Sequence, residues 1–255
     1  MSCYLLTTHN TRTNIREKGY TQSGPAFRAK TAALDKVLEK ALKAVGLEPV
    51  LIYPTAPIDL SPYDEDDDKP NPEWYAWYRK DDRTGEFRRL DEGMNLIADE
   101  LREARLNALE EDGDEDGGFD CVLGFSQGAC MASLLAAALE PRTCDAPAQH
   151  VSWLDNVREA NGDRPLKSVI MYGGFPAAAE DLEWLYHPKI SAPSLHMIGT
   201  LDTIVSEEDS RKLAAKFNDA KIVTHPGGHY VPVSKMWSMA VVQFILSLVS
   251  PPAAA

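Results

Sequence analysis

From residue 27 onward the chain alternates between two hydrophobic patterns, stripes at helical spacing and short unbroken apolar runs. Phe27–Val45 sets Leu34, Val37, Leu38, Ala41, Leu42 and Val45 on one helical stripe, with Gly46 as its stop. Pro49–Tyr53 (PVLIY) is a strand candidate that ends at Pro54. Leu90, Met94, Ile97, Leu101 and Ala104 then recur at helical intervals. Cys121–Phe125 (CVLGF) is an apolar strand, followed by a helix of small residues from Gln127 to Leu139. Ser168–Tyr172, Ser194–Ile198 and Lys221–Thr224 are three more strand candidates. Between the last two, Ser206-Glu207-Glu208-Asp209 predicts a capped helix running through Phe217. Trp237–Val249, interrupted by Ser238, Gln243 and Ser247, predicts a closing amphipathic helix. Strands alternating with helices predict an α/β fold, a mostly parallel sheet covered on both faces. No period of 20–50 residues repeats, which excludes solenoids and propellers.

The segments 54–82, 110–118 and 141–165 are rich in Pro, Gly and acids and read as surface insertions. No second strand–helix series follows them, so residues 1–255 are expected to form a single domain. Composition sharpens this picture. The net charge of −13 is concentrated in two acidic surface loops, 62–70 with five acids in Asp64–Asp68 and 110–118 with six in Glu110–Asp116. Without those eleven, 28 acids face 26 bases. Such a balance argues against a nucleic-acid partner, because phosphate neutralisation needs clustered Lys and Arg. No stretch of eighteen apolar residues occurs, so membrane insertion is not expected. The N-terminus lacks the charged start and apolar core of a secretory signal, predicting a protein of the cytoplasm or nucleus. Cys3, Cys121, Cys130 and Cys144 form no C-x-x-C pair and no metal spacing. No metal is therefore expected, and oligomeric state is left open. Cys121 and Cys130 lie in apolar segments and read as buried, inert small hydrophobes.

Chemistry enters at Gly124-Phe125-Ser126-Gln127-Gly128, a G-x-S-x-G string between an apolar strand and a small-residue helix. This is the setting of a nucleophile elbow, whose glycines allow the sharp turn that projects a serine hydroxyl. The bland alternative is a glycine-flanked turn whose serine only caps the helix. A serine needs a base, and the base an orienting acid. His229, in Gly227-Gly228-His229-Tyr230, follows the last strand candidate and can reach back over the strand ends. His225 reads as a local cap or surface residue and His196 as a core histidine; His9, His150 and His187 have no supporting pattern. For the acid, Asp202 leaves the Ser194–Ile198 strand directly into a loop, on the edge where ligands of such sheets bind. Asp209 and Asp181 read as helix-start or surface acids.

At these residues the sequence resembles the FSH ("family of serine hydrolases") α/β-hydrolases of fungi and animals. The resemblance rests on FDCVLGFSQG, PSLHMIGTLDTIV and PGGHYVP, and on Gly19-Tyr20-Thr21-Gln22-Ser23-Gly24 as the end of the oxyanion-loop motif. It runs from about Gly19 to Val249. It implies an α/β-hydrolase fold with Ser126 as nucleophile, His229 as base and Asp202 as its orienting acid. It also implies the amides of Gln127 and Tyr20 as oxyanion donors, and cofactor-free hydrolysis of a small-molecule carboxylic ester or acyl thioester. The family reads an apolar strand followed by His-Gly at the first motif; here Lys18 precedes Gly19 and Thr11–Glu17 is polar. Either Cys3–Thr8 supplies the strand and the next residues bulge out, or residues 1–18 are an atypical, non-native start.

Trp74-Tyr75-Ala76-Trp77-Tyr78 is the densest aromatic cluster. It either packs a loop onto the body or, through Trp74 and Trp77, walls an acyl pocket. Residues 141–187, with Trp153, Phe175, Trp184 and Tyr186, are the candidates for the other wall or a partial lid. Two functions compete: a serine esterase or thioesterase, and a catalytically weak or inactive α/β-hydrolase scaffold that binds a small molecule or protein. Peptide hydrolysis is a third reading that nothing in the sequence favours.

Overall fold

The computed structural model describes residues 3–9, 23–60, 75–112, 119–141 and 146–248. Its elements in chain order are β1 (Cys3–His9), α1 (Gly24–Lys43), β2 (Glu48–Ile52), β3 (Ile58–Asp59), β4 (Tyr75–Ala76), β5 (Arg79–Lys80) and β6 (Phe87–Arg88). These are followed by α2 (Leu90–Asp112), β7 (Cys121–Phe125), α3 (Gln127–Ala138), α4 (Ala148–Ala160) and β8 (Ser168–Tyr172). A 3₁₀ segment (Glu180–Tyr186), β9 (Ser194–Gly199), α5 (Glu207–Ala214), β10 (Ala220–His225) and α6 (Lys235–Leu248) complete the order.

Six strands form the central sheet in the order β10-β9-β8-β7-β1-β2. β7, β8, β9 and β10 are parallel in sequence. The apolar runs CVLGF, SVIMY and SLHMI occupy the sheet's interior, and every residue of the three strands is buried. Burial on both faces is what selects unbroken apolar runs there. β10, at the edge, keeps Lys221 and Ile222 exposed. β1 departs from the parallel plan. It is the strand that one of the two alternatives placed at Cys3–Thr8, but it runs antiparallel to both neighbours, pairing Cys3 with Gly124 and His9 with Glu48. Its His9 end therefore lies at the opposite sheet edge from the end of β7.

The helices cover both faces. α1 and α6 meet one face through Phe27, Leu34, Leu38, Val241 and Phe244. α2, α3 and α4 meet the other through Met94, Leu101, Leu134, Trp153 and Val157. α3 is buried from Gly128 to Ala138, which explains why its sequence is apolar on every side. Capping follows the sequence: Ser23 Oγ accepts from the Ala26 amide, and Ser206 Oγ from the Asp209 amide.

All three segments read as insertions turn out to carry structure, and 54–82 holds the short strands β3, β4 and β5. Residues 141–165 contain α4, whose His150, Trp153, Leu154, Val157 and Ala160 form a buried stripe at helical spacing. The polar residues between them masked that period. Residues 110–112 of the second acidic segment finish α2 rather than belonging to a loop. The first acidic run lies outside the described residues. Among the described residues, no helix is long and apolar enough to cross a membrane.

Candidate active site

β7 ends at Phe125 and α3 begins at Gln127, which leaves Ser126 alone to make the turn. Its φ of 57° and ψ of −120° lie outside the region L-residues ordinarily adopt. Two glycines permit this. A β-carbon on Gly124 would overlap the Gly128 carbonyl, so β7 and α3 can approach only without one. The Ser126 amide donates to Tyr172 O at 2.9 Å, which ties the turn to β8. Ser126 O accepts from the amides of Ala129 and Cys130, leaving those of Gln127 and Gly128 without a partner inside the helix.

Asp202 and His229 arrive from the neighbouring strands. β9 ends at Gly199 and β10 at His225, so both loops leave the same sheet edge as Ser126. Glycines again set the approach: a β-carbon on Gly199 would stand 2.6 Å from the carbonyl oxygens of both Gly227 and Gly228. The Thr200 amide donates to His225 O and the Leu201 amide to Gly227 O, locking the two loops together. Asp202 Oδ1 accepts from the amides of Ile204 and Val205, each at 2.9 Å. Its Oδ2 stands 2.7 Å from His229 Nδ1, and His229 Nε2 stands 2.8 Å from Ser126 Oγ. With Nδ1–H donating to the carboxylate, Nε2 is left to accept from the serine hydroxyl. Burial alone would raise the Asp202 carboxyl. Bonds from the Val205 amide, the His229 ring and the Ile204 amide outweigh it and hold the group below the usual carboxylate range. The imidazole also rests 4.6 Å, centroid to centroid, from the Phe125 ring.

Of the residues singled out in the sequence, Ser126, Asp202 and His229 come together in one hydrogen-bonded chain. Gln127 begins α3 beside them. Tyr20 and Trp74 lie outside the described residues. Trp77 is fully buried in the core, with its amide bonded to the Gln127 side chain. Phe175 is half-buried against the same core. His196 is the expected core histidine, bonded to Ser194 Oγ at 3.0 Å and lowered by burial to about 4. His225 is not the surface or capping residue the sequence suggested. It is buried beneath the Tyr230 and Trp237 rings, with no partner for Nδ1, and Gly199 leaves room for its ring. Cys121 and Cys130 are buried, their thiols pushed up to about 12 by burial. Among the described residues no group of three or more His, Cys, Asp or Glu could hold a metal ion.

Two contributors were not anticipated. Gly173, with φ +49°, ends β8 directly against the site; a β-carbon there would stand 3.2 Å from the His229 ring and 3.3 Å from Asp202 Oδ2. The glycine pair after SVIMY was the available signal. The second is the Gln127 side chain. Its Oε1 accepts from the Trp77 amide at 2.9 Å and its Nε2 donates to Tyr78 O at 3.0 Å, clamping the 75–80 segment to the first turn of α3. A polar residue opening an otherwise apolar helix was its only trace in the sequence.

A strained serine on a strand–turn–helix, with a histidine and an acid reaching it from later strands, is set on an α/β-hydrolase fold. A family model described as serine hydrolase (FSH1) matches residues 17–241. The chain belongs to that family. Among relatives, it is 30% identical over 228 residues to the esterase OVCA2 of Danio rerio, covering 85% of this chain and 88% of that one. It is 29% identical over 242 residues to a dihydrofolate reductase of Schizosaccharomyces pombe, covering 90% of this chain. The chain spans about half of that relative, 46% of its length. Among solved structures, the esterase PE8 matches with a TM-score of 0.51 and 19% identity, over 91% of this chain and 89% of that one, a likeness of fold. The family and its esterase relatives place the chain among hydrolases of the esterase class.

Proposed function

We propose that the protein hydrolyses small-molecule carboxylic esters or acyl thioesters through an acyl-enzyme on Ser126. The observation that carries this reading is the continuous chain from Ser126 Oγ through His229 to Asp202 Oδ2. In the first half-reaction Ser126 Oγ bonds to the acyl carbon while His229 Nε2 takes its proton. The carbonyl oxygen becomes an oxyanion, met by the Gln127 amide at the helix start, with the Tyr20 amide as the second donor. His229 then gives its proton to the departing alkoxide or thiolate, leaving the acyl group on Ser126. In the second half-reaction His229 takes a proton from water, which attacks the acyl carbon and releases a carboxylic acid and free Ser126. Asp202 stays ionised throughout, fixing the tautomer and stabilising the imidazolium. No cofactor takes part, and the protein works in the cytoplasm or nucleus.

The test is labelling by a fluorophosphonate together with turnover of p-nitrophenyl acetate. The wild-type chain is expected to do both, and Ser126→Ala to lose the label and at least about 10⁴-fold in rate. Labelling that persists in Ser126→Ala would reject the reading.

A further inference from the structure

β10 forms one edge of the sheet, and of its six residues only His225 is buried. The residue is 2% exposed, and its Nδ1 has no hydrogen-bond partner among the described residues. An apolar ring would fill that place without the cost of an unpaired polar atom in the interior. A residue that breaks the local rule in this way calls for a role beyond packing. The proposed reaction leaves this imidazole unused.

Its surroundings tie it to both loops of the site. On the side of β9, Gly199 leaves room for the ring, since a β-carbon there would stand 3.2 Å from Cε1. His225 O accepts from the Thr200 amide at 2.9 Å and from Thr200 Oγ1 at 3.3 Å, two residues ahead of Asp202. On the side of β10, the chain turns through Gly227 and Gly228 and brings the Tyr230 ring edge-on to the His225 ring, 5.3 Å between centroids. Tyr230 follows His229 directly, so this contact constrains the backbone that carries the base. The Trp237 ring of α6, at 5.8 Å, closes a third side. Desolvation holds the His225 ring below the ordinary imidazole range, while the Asp202 charge acts against it. At neutral pH the ring is therefore uncharged and leaves the carboxylate to His229.

We propose that His225 is a positioning residue for the acid–base pair, the post against which the loops after β9 and β10 are both set. This role rests on the serine-esterase reading above. Contacts of 2.7 Å from Asp202 Oδ2 to His229 Nδ1 and 2.8 Å from His229 Nε2 to Ser126 Oγ are disturbed if either loop shifts. A misplacement of about 1 Å at such a contact costs on the order of 10²-fold in rate. A compact ring suits the place. A bulkier side chain would press on Gly199, and a shorter one would leave a gap beneath Tyr230 and Trp237.

The experiment compares the full chain with His225→Asn and Tyr230→Ala on p-nitrophenyl acetate across about pH 5 to 9, with thermal melting alongside. In His225→Asn, kcat is expected to fall about tenfold with KM little changed, because the reacting groups are displaced rather than the bound ester. The acid limb of kcat/KM should move to lower pH, since a looser Asp202 contact stabilises the His229 imidazolium less. Tyr230 is 53% exposed, so Tyr230→Ala keeps the fold and, by uncovering the His225 ring, gives smaller changes in the same directions. A folded His225→Asn with wild-type kcat and an unmoved acid limb overturns the proposal, even where it melts earlier. If that variant does not fold, an unmoved limb in Tyr230→Ala overturns it instead. A wild-type chain that takes no fluorophosphonate label and hydrolyses no ester removes the catalytic reading itself, whereas a labelled, active chain indifferent to both substitutions removes this inference alone.

Discussion

Ser126 and the pair Asp202–His229 are placed by opposite means. The serine sits between a wholly buried strand and a helix buried from Gly128 to Ala138, so its conformation is imposed by packing. The acid and the histidine sit on loops beside exposed residues, and their positions come from backbone hydrogen bonds and from glycines that let two loops touch. A dense core can hold a strained φ because many contacts would have to yield together. A loop cannot, so it relies on directional bonds to one carboxylate. The difference teaches that the same hydrogen-bonded chain has a rigid end and a tunable one.

The largest test of that contrast is Asp202→Asn. The amide keeps the shape of the loop but cannot hold the His229 tautomer, so kcat is expected to drop about 10⁴-fold with melting little changed. Initial rates on p-nitrophenyl acetate measure this, and a rate within tenfold of wild type would show that the loop end is dispensable. Next is a pair of glycine substitutions. Gly124→Ala forces a β-carbon into the Gly128 carbonyl and is expected to cost about 3 kcal/mol or more of stability. Gly228→Ala meets nothing nearer than Leu201 O at 3.5 Å and should cost less than about 1 kcal/mol in chemical denaturation. Equal losses would erase the distinction between core and loop. An effect confined to acid pH concerns β9, the strand that delivers Asp202. Burial lowers His196 to about 4, so on acidification the unfolded chain takes up its proton first. Stability is therefore lost as pH falls from about 6.5 to 4, by roughly 3 kcal/mol in total. His196→Gln should flatten urea-denaturation stability over that window, and an unaltered slope would place the acid sensitivity elsewhere.

Much of this arrangement was legible in the residues. Parallel strands buried on both faces must be continuous apolar runs, so CVLGF, SVIMY and SLHMI marked the sheet and its edge. The G-x-S-x-G string and the glycines before His229 marked the turns, because only those turns require them. What stayed hidden depends on distance through space. The direction of β1 is not written in CYLLTT, since either direction satisfies an apolar run. Trp77 looked like a pocket wall because aromatic density does not say which way a ring faces. His225 was hidden by its neighbour Pro226, which reads as surface, although the Tyr230 and Trp237 rings cover it. α4 was obscured because its stripe is narrow and its intervening residues are polar.

The two-ended hold of the Gln127 carboxamide limits how freely the scaffold could be re-engineered. One residue both contributes the amide proposed to meet the oxyanion and bolts down the 75–80 segment. A graft that lengthens or swaps that segment alters the carbonyl and amide on which the glutamine is hung. The swap would reach the reaction chemistry even without touching a reactive group. In this protein, modularity therefore ends at residue 127: the outward side chains of the 201–205 turn can be exchanged independently, whereas the strap beside the elbow has to be redesigned together with it.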